Sequence, residues 1–321
     1  MRKIAVVDDF LTPAHCDTIR AAAAELGFAV DFYPDRLLPA GHEGDYEILF
    51  GRCSHETLKS AKNLKWYCCS FAGVDDLLRD ELYPNPNVVL TNSSGAYGIT
   101  ISEHVIMVLL MMMRRMPEFE ELVRQQQWQR EMPMRSIRGC SVTMLGTGDI
   151  GTNIARRVKG MGAKTVRGVR RTQKPADPAF DEIYTFEHLD ELLPSAEVLI
   201  MAMPSTPDTI GILSRERIAL LPKDALVINV GRGTAVDQDA LIEALEEERI
   251  AGAALDVMVP EPPEKDHPLW HTKNLLLTPH TSGNMSLGLT CDLIVEEFCA
   301  DLRSYAAGLP LKHLVDRSRG Y

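Results

Sequence analysis

The segment SVTMLGTGDIG at residues 141–151 constrains the fold of this chain most, because three spaced glycines directly follow an apolar run. Gly146 permits a tight turn, Gly148 lets the backbone approach a diphosphate, and Gly151 lets the next helix pack closely on the strand. The first amides of that helix, together with its dipole, would form an anion site. Because a second apolar run follows the helical segment, the pattern predicts a dinucleotide-binding βαβ unit. An ordinary glycine-rich turn is the alternative.

The end of the second strand of this unit indicates which dinucleotide would bind. The sequence there is RGVRRT, which contains Arg170 and Arg171, and Thr172 and Lys174 come next. No Asp or Glu occurs in residues 150–176. Two guanidinium groups suit a 2′-phosphate, because their forked donors match its oxygens and the charges attract. The pattern predicts NADP(H) as the preferred cofactor, with NAD(H), or two merely solvated arginines, as the alternatives.

Composition and charge exclude several other classes of protein. A chain of 321 residues suits two domains, and 45% hydrophobic with 25% charged residues is ordinary for a globular protein. The formal net charge of −11 speaks against nucleic acid and anionic membranes as partners. The longest apolar stretch, VIMVLLMMM at 105–113, is too short to span a bilayer. The segment MRKIAVVDDF reaches two aspartates too early for a signal-peptide core.

The cysteines and histidines point to the cytoplasm and away from a metal site. The seven cysteines form no Cys-x-x-Cys pair, which favours free thiols in a reducing cytosol over disulfides. No cluster of His, Cys, Asp and Glu has the spacing of metal ligands, so we expect no metal ion. His104 lies inside a long apolar segment and is interpreted as a core or interface histidine rather than as a ligand.

Short apolar runs alternate with helix-like segments along most of the chain, which predicts an α/β fold. Several of the eleven candidate strands are apolar at nearly every position, as in a parallel sheet with helices on both faces. The segment 101–116 contains no Gly or Pro and predicts a long buried helix between two groups of strands. We expect two doubly wound parallel-sheet domains, one at 98–288 and one at 1–97 that is completed by 289–321.

Three residues that could act together follow three strands in the second half of the chain. Arg232 follows ALVINV, Glu261 follows AGAALDV, and His280 ends NLLLTPH. The carboxyl ends of parallel strands form the edge at which open α/β sheets bind ligands. An arginine can clamp a carboxylate and polarise a neighbouring carbonyl, and a histidine beside a glutamate can exchange the proton of an alcohol. The spacing predicts a proton-transfer site at this edge.

These motifs make the chain similar to the D-isomer-specific 2-hydroxyacid dehydrogenases, a family that includes glyoxylate/hydroxypyruvate reductases and phosphoglycerate dehydrogenases. LGTGDIG, NVGRGTAVD, AGAALDVMVPEPP and HPLWHTKNLLLTPHTSG follow one another in the family's order, and the resemblance covers nearly the whole chain. It implies a Rossmann dinucleotide-binding domain, a flavodoxin-like substrate domain and a homodimer. It also implies that Arg232, Glu261 and His280 are the catalytic residues.

The resemblance extends to residues that bind the ligands. The segment SFAGVDDL resembles the family's loop whose amides hold the substrate carboxylate, and MAMPSTPDTIGIL resembles the segment along the cofactor. Family members that use NAD(H) carry an acidic residue where this chain has Val169 or Arg170, so either arginine could be the main phosphate contact. The implied substrate-binding residues, besides Arg232, are Ala72, Gly73 and Val74. The implied cofactor-binding residues are Gly146, Gly148, Asp149, Ile150, Gly151, Arg170, Arg171, Pro204, Thr209, Val230 and Asp256.

The implied function is the reduction of a small 2-oxoacid, of the glyoxylate or hydroxypyruvate kind, to the D-2-hydroxyacid by hydride transfer from NAD(P)H, with NADPH preferred. His280, held by Glu261, would exchange the hydroxyl proton, while Arg232 stabilises charge on the carbonyl oxygen. Two alternatives stay open: a nucleotide-sensing, corepressor-like scaffold without significant turnover, and a phosphite or formate dehydrogenase-like enzyme. Glu261 argues against formate, because formate dehydrogenases place an amide there.

Overall fold

The chain forms two compact units. Its structure, a computed structural model, describes residues 2–173, 175 and 177–320. Lys174, beyond the arginine pair, therefore lies outside the described residues. The first unit consists of Met1–Tyr97 with Asn284–Tyr321, and the second unit consists of Gly98–Gly283.

The first unit is built on a parallel sheet of five strands. These are β1 (Arg2–Val7), β2 (Phe28–Phe32), β3 (Ile48–Gly51), β4 (Trp66–Cys69) and β5 (Val89–Thr91), joined in part by helices α1 (Pro13–Glu25) and α2 (His55–Ser60). The strand order is β2-β1-β3-β4-β5, which is the order of flavodoxin-like sheets. Strands β3 and β4 are buried at every position, which explains why their sequences are almost continuously apolar.

The second unit is built on a parallel sheet of seven strands. These are β6 (Ser141–Leu145), β7 (Thr165–Arg170), β8 (Glu182–Thr185), β9 (Val198–Met201), β10 (Leu226–Asn229), β11 (Gly252–Leu255) and β12 (Leu275–Leu277). Their order is β12-β11-β10-β9-β6-β7-β8, so the direction of winding reverses between β6 and β9. Open parallel sheets bind ligands at the carboxyl edge beside such a reversal. The predicted fold class, two doubly wound parallel sheets, is confirmed.

The helices of the second unit cover this sheet. They are α3 (Gly98–Met113), α4 (Met116–Arg124), α5 (Asp149–Gly160), α6 (Leu189–Leu192), α7 (Arg215–Ile218) and α8 (Gln238–Glu246). The long helix α3 begins and ends three residues earlier than the predicted 101–116. It ends because Arg115 adopts a left-handed φ of 54°, and Pro117 then lies in the first turn of α4.

The chain returns to the first unit through the long helix α9 (Gly288–Ala306). Phe298 of this helix is fully buried and stacks on Phe50 of β3, with 4.0 Å between the ring centroids. Trp66 of β4 stacks on the same ring at 5.6 Å. These aromatic contacts fix the returning helix on the sheet that began the chain.

The strand β8 was not among the strands predicted from the sequence. The edge strand β8 has no position that is fully buried, and its sequence EIYT is polar at three of four positions. Edge strands carry less hydrophobic signal because only one neighbour and part of one face cover them.

Among the helices of the described residues, none is both long enough and apolar enough to cross a membrane.

Candidate active site

The glycine turn between β6 and α5 has the geometry that the sequence predicted. Gly146 has a φ of +97°, and a Cβ there would lie 2.5 Å from the carbonyl oxygen of Ala202. A Cβ on Gly151 would lie 2.0 Å from the carbonyl oxygen of Gly146. Neither position admits a side chain, because the turn, the helix and the neighbouring strand touch through backbone atoms.

Gly148 differs from its two neighbours, because the space beside it is open. A Cβ built on this residue meets no atom within 4 Å. Helix α5 starts at the next residue, so the first-turn amides, including that of Ile150, lie too early to bond a carbonyl of their own helix. Open space next to these amides is a cradle that a diphosphate fits. Asp149, the first residue of the helix, accepts a hydrogen bond of 2.9 Å from Asn153 Nδ2 one turn later.

The two arginines lie at the end of β7, beside this turn. Val169, the residue before Arg170, pairs with Leu145 and accepts a hydrogen bond of 2.9 Å from the amide of Gly146. Arg171 lies 3.8 Å from Asp208, which partly balances its charge. The backbone register therefore puts Arg170 next to the glycine turn.

His280 and Glu261 lie in direct contact. His280 Nδ1 is 2.8 Å from Glu261 Oε2, and the amide of Met258 donates to Glu261 Oε1 at 2.9 Å. An ionised carboxylate only accepts hydrogen bonds, so Nδ1 carries the proton and donates it to Glu261. The ring then has one nitrogen left, Nε2, and the side chain of His280 is 54% exposed. This nitrogen accepts a proton in the neutral ring and donates one in the imidazolium.

Arg232 follows β10, which is separated from β12 and His280 by one strand. Adjacent strands are about 4.8 Å apart, so the two loops leave the edge about 10 Å from each other. Asn229 shapes the arginine loop: its Nδ2 donates to the carbonyl of Arg232 at 2.8 Å, and its Oδ1 accepts from the amide of Gly231 at 3.0 Å. Arg232 is half-buried, and its guanidinium donates a hydrogen bond of 2.8 Å to the carbonyl of Gly231.

The loop after β10 packs tightly against the loop that carries Glu261. A Cβ on Gly233 would lie 2.3 Å from the carbonyl carbon of Met258, whose amide bonds Glu261. Glycine at this position lets the two backbones touch. The arginine loop and the glutamate loop are therefore packed as one piece at the carboxyl edge.

Ala72, Gly73 and Val74 lie in the first unit, in the loop after β4. The carbonyl of Ala72 accepts a hydrogen bond of 2.6 Å from Asn92 Nδ2, which fixes the loop. The amides of these three residues donate to no acceptor in the described part of the chain. Consecutive amides without a protein acceptor are suited to an anion such as a carboxylate.

Three further predicted cofactor residues have structural partners. Thr209 is buried, and its hydroxyl donates to the carbonyl of Pro204 at 2.7 Å and accepts from the amide of Thr206 at 2.8 Å. Val230 is buried, and its amide bonds Met201. Asp256 is 2% exposed, and its carboxylate is bonded within the loop that carries His280. All three residues are therefore buried parts of the carboxyl edge of the sheet.

Sequence reasoning missed some residues that hold the site together. Asn229 ends an apolar strand, and a buried amide at that place is a recognisable signal for a loop anchor. Thr278 and His104 are joined by a hydrogen bond of 3.3 Å that no local pattern predicts, because 174 residues separate them. In the described ranges no group of three or more His, Cys, Asp or Glu side chains is placed to hold a metal ion.

Comparison with known proteins identifies the family to which these features belong. Residues 106–282, more than half of the chain, match the family described as D-isomer specific 2-hydroxyacid dehydrogenase, NAD binding domain. A glyoxylate/hydroxypyruvate reductase A from Serratia proteamaculans is 30% identical over 284 residues, which cover 86% of this chain and 88% of that protein. A D-3-phosphoglycerate dehydrogenase from Archaeoglobus fulgidus is 30% identical over 264 residues, which cover 81% of this chain.

The chain spans about half the length of the phosphoglycerate dehydrogenases that it matches, 49% for the Archaeoglobus fulgidus protein and 54% for one from Methanocaldococcus jannaschii. Solved structures match it from end to end. A D-isomer specific 2-hydroxyacid dehydrogenase from Xanthobacter autotrophicus, in complex with NADPH and MES, has a TM-score of 0.84 and 30% identity, and covers 100% of this chain and 99% of its own. An NADPH-dependent glyoxylate/hydroxypyruvate reductase from Sinorhizobium meliloti, in complex with NADP and sulfate, has a TM-score of 0.82 and 26% identity, with 100% of both chains covered.

Two alanine substitutions separate the roles of the glycines. We expect Gly151→Ala to lower the free energy of unfolding by about 1–3 kcal/mol, because its methyl group overlaps the Gly146 carbonyl. Gly148→Ala is the matched control, since its methyl group meets no protein atom and its φ of −77° suits alanine. Its stability should stay within about 0.5 kcal/mol of the unchanged protein in chemical denaturation.

The control substitution nonetheless has a predicted effect on binding. A methyl group on Gly148 fills the space next to the first amides of α5, so we expect Gly148→Ala to weaken NADPH binding at least about tenfold. Fluorescence titration with NADPH measures this change. If Gly148→Ala binds NADPH as tightly as the unchanged protein, the cradle is not where the diphosphate lies.

Proposed function

This chain belongs to the D-isomer specific 2-hydroxyacid dehydrogenase family, and from that premise we propose that it reduces a small 2-oxoacid to the D-2-hydroxyacid with NADPH. Membership makes it an NAD(P)-dependent oxidoreductase. The observation that carries the proposal is the bond of 2.8 Å between His280 Nδ1 and Glu261 Oε2, at the carboxyl edge beside the arginine loop. It prepares a histidine for proton exchange, as the reduction of a carbonyl requires.

The proposed chemistry divides between the cofactor and the protein. NADPH, when bound, would supply the hydride. His280, as an imidazolium, donates the Nε2 proton to the oxygen that becomes the hydroxyl group, and Glu261 stabilises that imidazolium and holds the ring orientation. Arg232 stabilises the charge that develops on the carbonyl oxygen. In the oxidising direction the neutral ring of His280 takes the proton back.

Anion recognition supports a 2-oxoacid rather than a simple ketone as substrate. The amides of Ala72, Gly73 and Val74 form the anion-binding loop of the first unit, and we assign them to the substrate carboxylate. Arg232 contributes a guanidinium that also suits a carboxylate. Relatives named as glyoxylate or hydroxypyruvate reductases make these two small 2-oxoacids the first to test.

The cofactor residues proposed are Gly146, Gly148 and Gly151 with the first amides of α5 for the diphosphate, and the arginine pair for the 2′-phosphate. The open space at Gly148 and the position of Arg170 beside the turn support this assignment. Arg170 is the main phosphate contact in our proposal, because the Arg171 guanidinium is partly engaged by Asp208. Solved relatives hold NADPH or NADP, which supports the same preference.

A homodimer and a cytoplasmic location complete the proposal. The segment after α4 carries Trp128 with 89% of its surface exposed, and Met134 and Val123 are also exposed. Beside it, helix α4 and the amino ends of β10–β12 line a cavity of about 1150 Å³. We propose that a second copy of the chain covers this apolar surface, and sedimentation equilibrium tests the dimer directly.

The thiols support the proposed cytoplasmic location. The seven cysteines are all unbridged thiols, as is usual in a reducing cytoplasm.

The proposed reaction is tested by NADPH oxidation with glyoxylate, hydroxypyruvate and phenylpyruvate. We expect His280→Ala to lower kcat/KM by about 10²–10⁴, because the proton donor is lost. Arg232→Ala should cause a comparable loss. The matched control is His271→Ala, an exposed histidine of the same unit.

The outcomes of this test are distinct. The control should keep the activity of the unchanged enzyme within a factor of about two, since exposed positions rarely matter. If the unchanged enzyme is no faster than His280→Ala on a broad panel of 2-oxoacids, the proposed reductase is wrong. Tight NADPH binding without turnover would then favour the scaffold, and turnover of phosphite or formate would favour the other alternative.

The cofactor preference is tested by replacing the arginines one at a time. We expect Arg170→Gln to raise the KM for NADPH about tenfold or more, because a charged hydrogen bond to the phosphate is lost, and to leave the KM for NADH unchanged. Arg171→Gln should have a smaller effect of the same sign. Arg138→Gln, at an exposed arginine away from the glycine turn in sequence, is the control. Equal changes for both cofactors would mean that the arginines do not contact a 2′-phosphate.

A further inference from the structure

The backbone of His280 adopts a conformation that its side chain disfavours. Its φ is +49°, in the left-handed region that few non-glycine residues occupy. Such a conformation persists only where the surroundings hold it in place. The amide of His280 donates to the carbonyls of Asp256 at 2.9 Å and Thr278 at 3.0 Å, so the residue is fixed from the end of the neighbouring strand.

Asp256 holds this loop with its side chain as well as with its backbone. Its Oδ1 accepts from the amide of Thr281 at 2.9 Å, and its Oδ2 accepts from the amide of Ser282 at 3.1 Å. Three consecutive residues, His280 to Ser282, are thus bonded to one buried residue. Burial alone would raise the pKa of Asp256, but the hydrogen bonds from Ser282, Thr278 and Thr281 outweigh it and leave that pKa below its usual value. The carboxylate is therefore charged whenever the enzyme works near neutral pH.

A third hydrogen bond to the carboxylate comes from Thr278, and it connects the loop to helix α3. Thr278 Oγ1 lies 2.6 Å from Asp256 Oδ1 and 3.3 Å from His104 Nε2. A hydroxyl has one proton, and the carboxylate can only accept, so Thr278 donates to Asp256 and must accept from His104. His104 therefore carries its proton on Nε2. Burial lowers the pKa of His104, which keeps the ring neutral and leaves this single donor in place.

We propose that Thr278 and His104 are positioning residues for the proton-transfer step: through Asp256 they hold the loop 280–282 in the conformation that aims His280. The hydrogen-bonded chain runs from the His104 Nε2–H to the Thr278 hydroxyl, then to the Asp256 carboxylate, and then to the amides of Thr281 and Ser282. None of these groups exchanges a proton with the substrate. Their consequence for the rate rests on the proposed function, whereas the order that they impose on the loop does not.

This network gives Asp256 a role in holding the loop, besides the cofactor contact that the resemblance implied. In the structure both carboxylate oxygens are bonded within the protein, and the residue is 2% exposed. Such supporting groups are effective because a displacement of about 1 Å in a reacting group can cost a hundredfold in rate.

The experiment replaces the Thr278 hydroxyl and measures both the loop and the reaction. Thr278→Val keeps the shape of the side chain and removes both hydrogen bonds, and Thr278→Ser restores the hydroxyl. Thr143→Val is the matched control, because Thr143 is fully buried and its hydroxyl meets no partner among the described residues. Hydrogen–deuterium exchange of peptides that cover residues 280–283 is followed by mass spectrometry on the protein without ligand. Steady-state kinetics with NADPH and glyoxylate or hydroxypyruvate follow.

We expect Thr278→Val to speed exchange in this segment about tenfold and to lower kcat about tenfold, with the KM for NADPH unchanged. Thr278→Ser should recover most of both effects, and Thr143→Val should show neither. His104→Leu removes the hydrogen bond from His104 to Thr278. It should also speed exchange and lower kcat, but by smaller factors than Thr278→Val. It serves as the second test if Thr278→Val does not fold.

Three results would count against the proposal, and the first two would each overturn it. The first is unchanged exchange at residues 280–283 in both Thr278→Val and His104→Leu, and the second is faster exchange with an unchanged kcat. A fall in kcat without rescue by Thr278→Ser also counts against it, because that pattern indicates general damage to packing. If the unchanged enzyme turns over no 2-oxoacid, the proposed function fails, and the exchange measurement still decides whether Thr278 and His104 order the loop.

Discussion

The hydrogen bond from His280 Nδ1 to Glu261 Oε2 is the interaction on which the rest of the site depends. It fixes the tautomer of the ring, leaves Nε2 as the group that can exchange a proton, and places a negative charge where an imidazolium would need one. It forms only because two loops, after β11 and β12, leave the same edge of one sheet. The close packing of Gly233 on Met258 and the hydrogen bonds of Asp256 to Thr281 and Ser282 hold these loops in place.

The loops at the carboxyl edge of the parallel sheet lie close together mainly through contacts between backbone atoms. Glycines at 146, 151, 231 and 233 let backbones touch, so that the turn after β6 and the loops after β9, β10 and β11 form one continuous surface. Asn229 and Asp256 then anchor the loops from inside the edge with side-chain hydrogen bonds. The ring of His280 stays exposed, and the space beside Gly148 at the first amides of α5 stays open. Buried polar side chains thus hold the loops of the site in place, and the histidine that can exchange a proton is exposed.

The sequence predicts much of this, and it fails where the cause is not local. The two parallel sheets, the dinucleotide turn and the family were all predictable, because apolar runs, glycine spacing and motif order are read along the chain. The contact of Glu261 with His280 was predictable from strand ends. The edge strand β8 was missed because it is half-exposed and polar, and the helix α3 was placed three residues late because the left-handed Arg115 has no sequence signature. The hydrogen bonds that join His104, Thr278 and Asp256 could not be predicted, since the three residues come from separate segments of the chain.

The most direct test of the account is the protonation of the two ring nitrogens of His280. Nitrogen NMR of protein labelled in its histidines measures it, and the spectrum of His280→Ala identifies the signals. The account predicts that the neutral ring carries its proton on Nδ1, with Nε2 bare, and that Glu261→Ala abolishes this preference. A neutral ring that carries its proton mainly on Nε2 in the unchanged protein would contradict the account, because Glu261 would then not hold the histidine for proton transfer.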